Sequence, residues 1–272
     1  MTAPTTRTDH ATARSKGQLA LAMHQFRFDL AAFARNGQSR FFTLALPVIF
    51  LVIFASIFKG TVKVPGGMLK TSVFYVPGII TLGIIAASFV NLVISVTAQR
   101  ETGVLKRRRA TPVPASAIIA GRSLTSTVVA LFITGVLLLI GWVFFHASVP
   151  ARTAPTLVLT VIVGTISFGC MGYGLASLIR NQDAAQPITQ AVMLPLYFIS
   201  GVFVPTSELP RWLDNVGKVF PVHHLAAAVL LAYDPHTRGA GFAGWDLLIV
   251  GAWGLAGLVV ALRKFSWVPL GR

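Results

Sequence analysis

Six long apolar runs alternate with polar connections along the chain. A helix needs about 20 predominantly apolar residues, within a range of about 17–25, to cross the hydrocarbon core of a bilayer. The first and last runs are at the short end of that range, and the others meet it. The pattern predicts an all-α integral membrane protein with six transmembrane helices. The predicted spans are residues 41–58, 73–97, 123–145, 156–179, 187–205 and 245–262.

An amphipathic pattern precedes the first run. An apolar residue recurs every three or four positions over residues 18–36, which predicts a helix lying in the membrane interface. A helix packed on a soluble partner is the alternative interpretation of this stripe. Residues 1–17 are polar and rich in Thr and Ala, and they predict a disordered tail without a cleavable signal peptide. The stripe consists of Leu19, Met23, Phe26, Leu30 and Phe33.

The distribution of charge predicts the orientation of the spans. Only 11% of the residues are charged, where a soluble domain carries about 25%. Lys and Arg outnumber Asp and Glu by 23 to 8, but they lie in the connections, so topology explains them better than nucleic-acid binding. Sixteen of them fall on the side of the amino terminus and seven on the other. The positive-inside rule then places both termini, including a tail at residues 263–272, in the cytoplasm.

The connection at residues 206–244 contains two short apolar stretches separated by Pro221. The second stretch, residues 222–232, would rise only about 16 Å as a helix and cannot cross a bilayer. We therefore predict a re-entrant pair of short helices that dips into the outer leaflet between spans five and six. A seventh span is the alternative, and the parity of the positive charges argues against it.

The sequence lacks the residue patterns that several kinds of chemistry require. The interiors of the spans carry no ionisable residue, whereas ion- and proton-coupled carriers usually place such groups in the membrane. The chain has no G-x-x-x-x-G-K-[ST] phosphate loop, so another subunit would have to supply energy from ATP. Adjacent helical residues diverge by about 100°, so His223 and His224 predict no metal site. Cys170 is expected to be a small packing residue within the fourth span.

Small residues are dense in the fourth and sixth spans. They allow close helix approach in lipid, where the hydrophobic effect does not drive helix association. Ordinary composition is the alternative, since Gly is frequent in membrane helices. The residues are Gly164, Gly169, Gly172, Gly174 and Ala176 in the fourth span, and Gly251, Ala252, Gly254, Ala256 and Gly257 in the sixth.

The polar segment 99–112, between spans two and three, is the most distinctive of the connections. It holds Glu101 and the basic run from Lys106 to Arg109 around two apolar residues, and Pro112 ends any helix there. A short helix parallel to the membrane would present these charges to a soluble partner. A basic loop that serves topology alone is the alternative.

Three elements of the chain resemble those of a known family when taken in order. Residues 100–105 read R-E-T-G-V-L, with Thr111 and Pro112 following. Residues 200–205 read S-G-V-F-V-P, and residues 209–213 read L-P-R-W-L before Phe220-Pro221. Together they resemble the permease subunits of bacterial ATP-binding-cassette exporters of the second membrane type, which include daunorubicin-resistance permeases. The resemblance extends over about residues 20 to 262.

The resemblance implies a six-span half-transporter of the bacterial cell membrane that dimerises with a second permease copy or a paralogue. Two separate ATPase subunits would bind ATP and Mg, and this chain would hold no cofactor. The helix at 18–36 would be an elbow helix, and residues 99–112 would be a coupling helix. The coupling residues carried over are Arg100, Glu101, Gly103 and Leu105. The re-entrant hairpin carries Gly201, Pro205, Pro210, Trp212 and Pro221.

The same resemblance implies a substrate path near spans two and five. The lining would suit a hydrophobic or amphiphilic compound such as a drug, an antibiotic or a lipid-like molecule. The run 106–109 is more basic than the family pattern, in which an acidic or neutral residue is common there. An ion-coupled carrier and a non-transporting membrane scaffold remain the competing functions. The path residues are Phe89, Asn91, Ser95, Gln190, Tyr197 and Phe198.

Overall fold

The computed structural model describes residues 7–64, 67–109, 115–147, 149–237 and 239–266. Within these ranges the chain is mostly helical, as predicted, with one pair of short strands. Parts of the predicted tails and of the coupling segment (residues 1–6, 110–114 and 267–272) lie outside the described residues. The helices are α1 Arg7–Arg35, α2 Gly37–Arg40, α3 Leu46–Ile57, α4 Thr71–Ile85, α5 Asn91–Glu101, α6 Val104–Arg109, α7 Ala115–Phe145, α8 Ala154–Leu178, α9 Ala185–Ile199, α10 Arg211–Gly217, α11 Pro221–Tyr233 and α12 Gly244–Lys264.

Five helical segments in the described part of the chain are long and apolar enough to cross a membrane. Two of them are composite, because π-helical turns at Phe41–Ala45 and Ala86–Val90 join α2 to α3 and α4 to α5. A sixth span arises if α10 and α11, whose axes meet at 93°, count as one broken span. The segments are Gly37–Ile57, Thr71–Glu101, Ser116–Phe145, Ala154–Leu178 and Gly244–Lys264.

The fifth predicted span, residues 187–205, is shorter than expected. Its helix α9 has 15 residues and is about 22 Å long, less than the hydrocarbon thickness of about 30 Å. Gly201 ends the helical run because it adopts φ +80°, and the backbone N–H of Phe203 then turns back to donate to the carbonyl oxygen of Tyr197 at 3.3 Å. Residues 200–205 are mostly apolar but form this turn. Hydropathy alone cannot distinguish such an apolar turn from the end of a membrane span.

The amino-terminal helix α1 begins at Arg7, so the prediction of a disordered tail over residues 1–17 is wrong for residues 7–17. Ala, Arg and Lys, which make up five of these eleven residues, have high helix propensity. The helix packs along α7, where the hydroxyl of Thr125 donates to the carbonyl oxygen of Phe26 at 3.4 Å. Gly121 permits this approach, since a Cβ there would lie 2.8 Å from the carbonyl oxygen of Ala22. The apolar stripe thus rests partly on this chain.

A pair of short strands is added to the mostly helical fold that the sequence predicts. Strands β1 (Thr61–Val64) and β2 (Gly67–Lys70) pair antiparallel in the connection between α3 and α4, with Val62 opposite Leu69. Val62, Val64 and Leu69 are buried and alternate with exposed residues, which is the period of a half-buried strand. The strands escaped prediction because four residues each are too few for a strong signal.

Helices α8 and α12 make the most extensive helix contact among the described elements. The glycines predicted to favour close packing carry much of it. A Cβ added at Gly257 would lie 2.5 Å from the Cα of Met171, and one at Gly254 would lie 2.8 Å from the Cα of Ser167. A Cβ at Gly174 would lie 2.7 Å from the carbonyl oxygen of Gly257. Gly169 and Gly251, in contrast, face open space.

We predict that Gly257→Ala destabilises the protein, because the methyl group would push against the backbone of α8 and separate the two helices. The cost should be about 1–3 kcal/mol, as for other overpacked sites. Thermal unfolding in detergent should show a melting temperature several degrees lower. Gly251→Ala in the same helix is the matched control and should leave the melting temperature unchanged or slightly raised. Equal melting temperatures for the two variants would contradict the close approach.

Candidate functional site

The predicted coupling segment is bent rather than a single helix. Residues 99–101 continue α5, a turn follows at Thr102–Gly103, and α6 covers Val104–Arg109. Gly103 adopts φ +71°, a backbone conformation that favours glycine, and so allows the chain to change direction. Ala110, Thr111 and Pro112 lie outside the described residues. The segment therefore comprises the end of a long buried helix and a separate short helix.

Arg100 is buried within the helical bundle and caps the end of α8. Its side chain is 1% exposed, and its guanidinium donates to the carbonyl oxygens of Ala176 at 3.0 Å, of Ile179 and of Arg180 at 3.5 Å. The last carbonyl groups of a helix have no intrahelical donor and carry partial negative charge, so a cation there is stabilising. The arginine thus fastens α5 to the end of α8.

Glu101 continues this attachment into the connection between α8 and α9. Its Oε2 accepts a hydrogen bond from the backbone N–H of Gln182 at 2.6 Å. One residue earlier, Asn181 accepts through Oδ1 from the backbone N–H of Ala184 at 2.9 Å, just before α9 begins. Arg100 and Glu101 therefore hold residues 179–182, which lead directly into α9. We call these two residues and the carbonyl and N–H groups that they bind the clamp.

The rest of the predicted coupling set divides into anchors and exposed residues. Leu105 is 5% exposed and belongs to the main apolar core, so it anchors α6 to the bundle. Lys106 and Arg107 are exposed on α6, and Arg107 donates weakly to the carbonyl oxygen of Thr102 at 3.4 Å. The side chains of Arg100 and Leu105 are buried within this chain, so they are not available to a partner. Among the residues of segment 99–107, the exposed ones are Glu101, Thr102, Lys106 and Arg107.

A groove of about 320 Å³ runs between the first helical segment, the α4–α5 helix and α9. Both π-helical turns contribute to its wall, through Phe42 and Thr43 on one side and Ala86 and Val90 on the other. Its surface is mainly apolar, with a few amide and hydroxyl groups. Such π-bulges frequently mark functional sites because they shift side chains out of the regular helical register.

Four of the six predicted path residues line this groove: Asn91, Gln190, Tyr197 and Phe198. Asn91 accepts a hydrogen bond from the hydroxyl of Ser39 at 3.1 Å, which joins the α5 wall to the first helix. Near the start of α9, the amide of Gln38 donates to Gln186 at 2.7 Å. The surface of the groove is therefore mainly apolar, with polar amide groups at the end nearest the clamp.

The other two predicted path residues lie elsewhere. Ser95 borders a neighbouring polar cavity of about 150 Å³, where the guanidinium of Arg122 donates to its hydroxyl. Phe89 is 4% exposed and packs edge to face on Phe168 of α8 with ring centroids 6.3 Å apart. Phe89 is one position before Val90 of the groove wall but points toward α8, and sequence alone does not fix that rotation.

Sequence reasoning missed the contribution of the first span to the groove. Phe42, Leu46, Phe50 and Phe54 all line it. Their spacing of four residues was visible in the sequence and places them on one helix face. Phe203 completes the set, with its ring centroid 5.7 Å from that of Phe50, 5.4 Å from Phe54 and 5.3 Å from Phe198. These aromatic rings close the end of the groove that lies farthest from the clamp.

The predicted hairpin residues shape the chain between α9 and α12. Gly201 ends α9, Pro205 and Pro210 each precede a short helix, and Pro221 occupies the first turn of α11. Proline suits such positions because the first helical N–H groups have no partner within the helix. Trp212 is 67% exposed on α10, whereas α11 is buried against α4, α8 and α12. The pair is thus one exposed and one buried helix at 93°.

Comparison with known proteins identifies the family. The model of the ABC-2 type transporter family matches residues 21–233, which is most of the chain. The chain belongs to the ABC-2 type transporter family. The resemblance found at residues 100–105, 200–205 and 209–213 is therefore confirmed.

This chain is similar to two permeases whose names describe a function. This ABC-2 transporter chain is 25% identical over 183 residues to a probable multidrug ABC transporter permease, YbhR, of Escherichia coli, covering 66% of the chain and 49% of the relative. It is 28% identical over 209 residues to the daunorubicin resistance ABC transporter permease protein DrrB1 of Streptomyces coeruleorubidus, covering 75% of the chain and 70% of the relative. The chain thus spans about half the length of the first relative.

We predict that Arg100→Ala destabilises the connection between α8 and α9, because it leaves buried carbonyl groups without a donor. Each such group costs about 1–3 kcal/mol. The melting temperature should fall, and amide hydrogen exchange should accelerate at residues 179–182. Arg107→Ala, which removes an exposed arginine two turns away, is the control and should change stability by less than about 0.5 kcal/mol. Unchanged exchange at residues 179–182 in Arg100→Ala would contradict the clamp.

Proposed function

We propose that this chain is the membrane subunit of an ATP-driven exporter for hydrophobic or amphiphilic compounds, and that two separate ATPase subunits bind ATP and Mg for it. The observation that carries the proposal is the clamp. It joins the exposed short helix α6 to the start of α9, and α9 forms one wall of the apolar groove. The names of the relatives, multidrug permease and daunorubicin resistance permease, support this substrate class.

The mechanism follows from the order of these contacts. An ATPase that pushes on Lys106, Arg107 and the exposed face of α6 would move the end of α5. The hydrogen bonds of Arg100 and Glu101 would carry that movement to residues 179–182. Helix α9 would then shift against the first helical segment and change the width of the groove. In this mechanism the role of the described residues is mechanical.

The assembly belongs to the same proposal. A second permease copy or paralogue would face the open groove, so that two chains enclose one path. The protein would lie in the bacterial cell membrane with six spans and with both termini and α6 in the cytoplasm. Helix α1 would be the elbow at the membrane interface, and α10 and α11 would be the re-entrant hairpin. The apolar side chains exposed on α3, α7 and α12 support contact with lipid.

The coupling role of Glu101 can be tested in proteoliposomes that contain the permease and its ATPase. We expect Glu101→Ala to uncouple hydrolysis from transport, so that the amount of compound moved per ATP falls by about fivefold or more. The loss of the bond to Gln182 would let α6 move without α9. Glu208→Ala, which removes an exposed carboxylate at the opposite end of the bundle, should leave the ratio unchanged. Normal coupling in Glu101→Ala would refute this role, and failure to isolate an ATPase complex would refute the proposed function.

The groove can be tested through Phe198, which is 46% exposed on its wall. We expect Phe198→Ala to raise, by about threefold or more, the compound concentration that half-maximally stimulates ATP hydrolysis, because an aromatic contact surface is lost. Phe144→Ala in α7 is the matched control, since that ring is 70% exposed and does not line the groove. Equal effects of the two variants would mean that general contact with lipid explains them and that the groove does not bind the compound.

A further inference from the structure

Another groove, of about 470 Å³, runs along the surface between the first helical segment and α7. None of its described lining residues lines the groove beside α9, so the two grooves use different faces of the first segment. Helix α3 packs mainly on α4 and makes few contacts with α7, which leaves this space open. We call it the lateral groove. Its walls include Phe41, Ala45 and Ile49 on one side and Phe132 and Val136 on the other.

The lateral groove is apolar, open and firmly backed. Phe41 is 47% exposed at one wall and Phe132 is 60% exposed at the other. The floor is Ile133, which is buried and packs on α4, where a Cβ added at Gly83 would lie 3.3 Å from its side chain. In a chain with membrane spans, an acyl chain or another apolar helix covers such a surface. The length and the charge of the groove distinguish these two occupants.

The length of the lateral groove corresponds to one leaflet. Arg40 and Ile49 mark its two ends on the first segment, and they are nine residues apart. At 1.5 Å per residue this distance is about 14 Å along the helix. Half of a hydrocarbon core of about 30 Å is about 15 Å. A single acyl chain that starts at the membrane interface therefore fills the groove, whereas a partner helix would cross both leaflets and extend beyond it.

The charge at one end of the groove favours an anion. Arg40 is exposed there, and Arg35 at the end of α1 is a second exposed cation five residues earlier. The sequence has no acidic residue between Asp29 and Glu101, and Asp29 accepts from the amide of Gln25 in the neighbouring polar cavity. A Cβ added at Gly37, beside Arg40, would meet nothing within 4 Å, so this end has room for a headgroup.

We propose that the lateral groove binds one anionic phospholipid of the cytoplasmic leaflet. The guanidinium of Arg40 donates two hydrogen bonds to its phosphate, and one acyl chain lies along the groove as far as Ile49. A zwitterionic lipid offers the same phosphate, but its ammonium group is repelled by Arg35 and Arg40. Basic sites between helices on the cytoplasmic side commonly bind anionic headgroups. The leaflet follows from the orientation proposed above, whereas binding itself requires neither the ATPase nor transport.

A bound lipid would brace the wall of the other groove from behind. Phe42, Leu46 and Phe50 of the first segment line the groove beside α9, and the lateral groove lies on a neighbouring face of the same segment. An acyl chain between this segment and α7 fills the space into which the segment could otherwise tilt. The lipid thus holds the first segment in place as one fixed wall of that groove.

Binding can be measured by native mass spectrometry on the full chain in detergent, without ATPase and nucleotide. The probe is palmitoyl-oleoyl phosphatidylglycerol. Phosphatidylcholine with the same acyl chains is the zwitterionic control, and glycerol 3-phosphate offers an anionic phosphate without acyl chains. We expect the first phosphatidylglycerol to bind about fivefold or more tightly than phosphatidylcholine, which is the effect of about one arginine near an anionic lipid. Equal affinities for the two lipids, or equally tight binding of glycerol 3-phosphate, would overturn the proposal.

A charge variant locates the headgroup. Arg40→Gln should remove the preference for phosphatidylglycerol. Arg263→Gln makes the same change at an exposed arginine near the end of α12, outside the lateral groove, and should keep the preference. Equal losses in the two variants would mean that the overall positive charge attracts the lipid, and they would contradict the site.

A second variant locates the acyl chain. Ala45→Phe adds a ring to the groove wall, so it should weaken binding of both lipids by several fold. The melting temperature in detergent without lipid should stay the same, because the added ring projects into open space. If Ala45→Phe instead abolishes a dimer and leaves lipid binding unchanged, a second copy of this chain occupies the groove and the proposal is wrong.

Discussion

The guanidinium of Arg100 binds the carbonyl groups at the end of α8, and the arrangement of the functional elements depends on this contact. A helix that ends inside a protein leaves its last carbonyl oxygens without donors. One planar arginine reaches the carbonyl oxygen of Ala176 in the last turn and those of Ile179 and Arg180 just beyond it, which a lysine with its single nitrogen would do less well. The contact fixes α5 relative to α8, and Glu101 then positions the start of α9. A movement at α6 therefore has a defined route through hydrogen bonds to α9.

In the mechanism that we propose, the groove would receive that movement because two of its walls are irregular helices. The π-helical turns at Phe41–Ala45 and Ala86–Val90 face each other across it, and α9 on the third side is short. A regular helix packed along its full length resists displacement, whereas a helix of four turns with an open face makes fewer contacts to break. The wall nearest the clamp is thus also the wall that is easiest to move. The aromatic rings around Phe203 close the far end.

The sequence was sufficient to predict the membrane class, most of the spans and the family, because apolar length and a few ordered motifs carry those signals. The span bounds 156–179 and 245–262 agree closely with α8 and α12. Span five was overextended because residues 200–205 are apolar in a turn, and hydropathy does not report φ angles. Asn91 and Phe198, which were predicted to line a substrate path, lie at the groove, whereas Phe89 packs against α8. Helix rotation and the internal burial of Arg100 depend on tertiary packing, and a single sequence does not encode them locally.

The turn after α9 separates the groove from a cavity of about 890 Å³ that is lined by β1, α10 and α11 and that we call the distal cavity. Tyr197, Phe198 and Phe203 line the groove, and Ser200 and Gly201, which lie between them in the sequence, line the distal cavity. The positive φ of Gly201 and the bond from Phe203 to Tyr197 make this reversal within a few residues. Gly78 of α4 sits against it so closely that a Cβ there would lie 2.4 Å from the carbonyl oxygen of Val202. A shift of α9 that widens the groove must therefore also move the wall of the distal cavity, because one short turn is part of both.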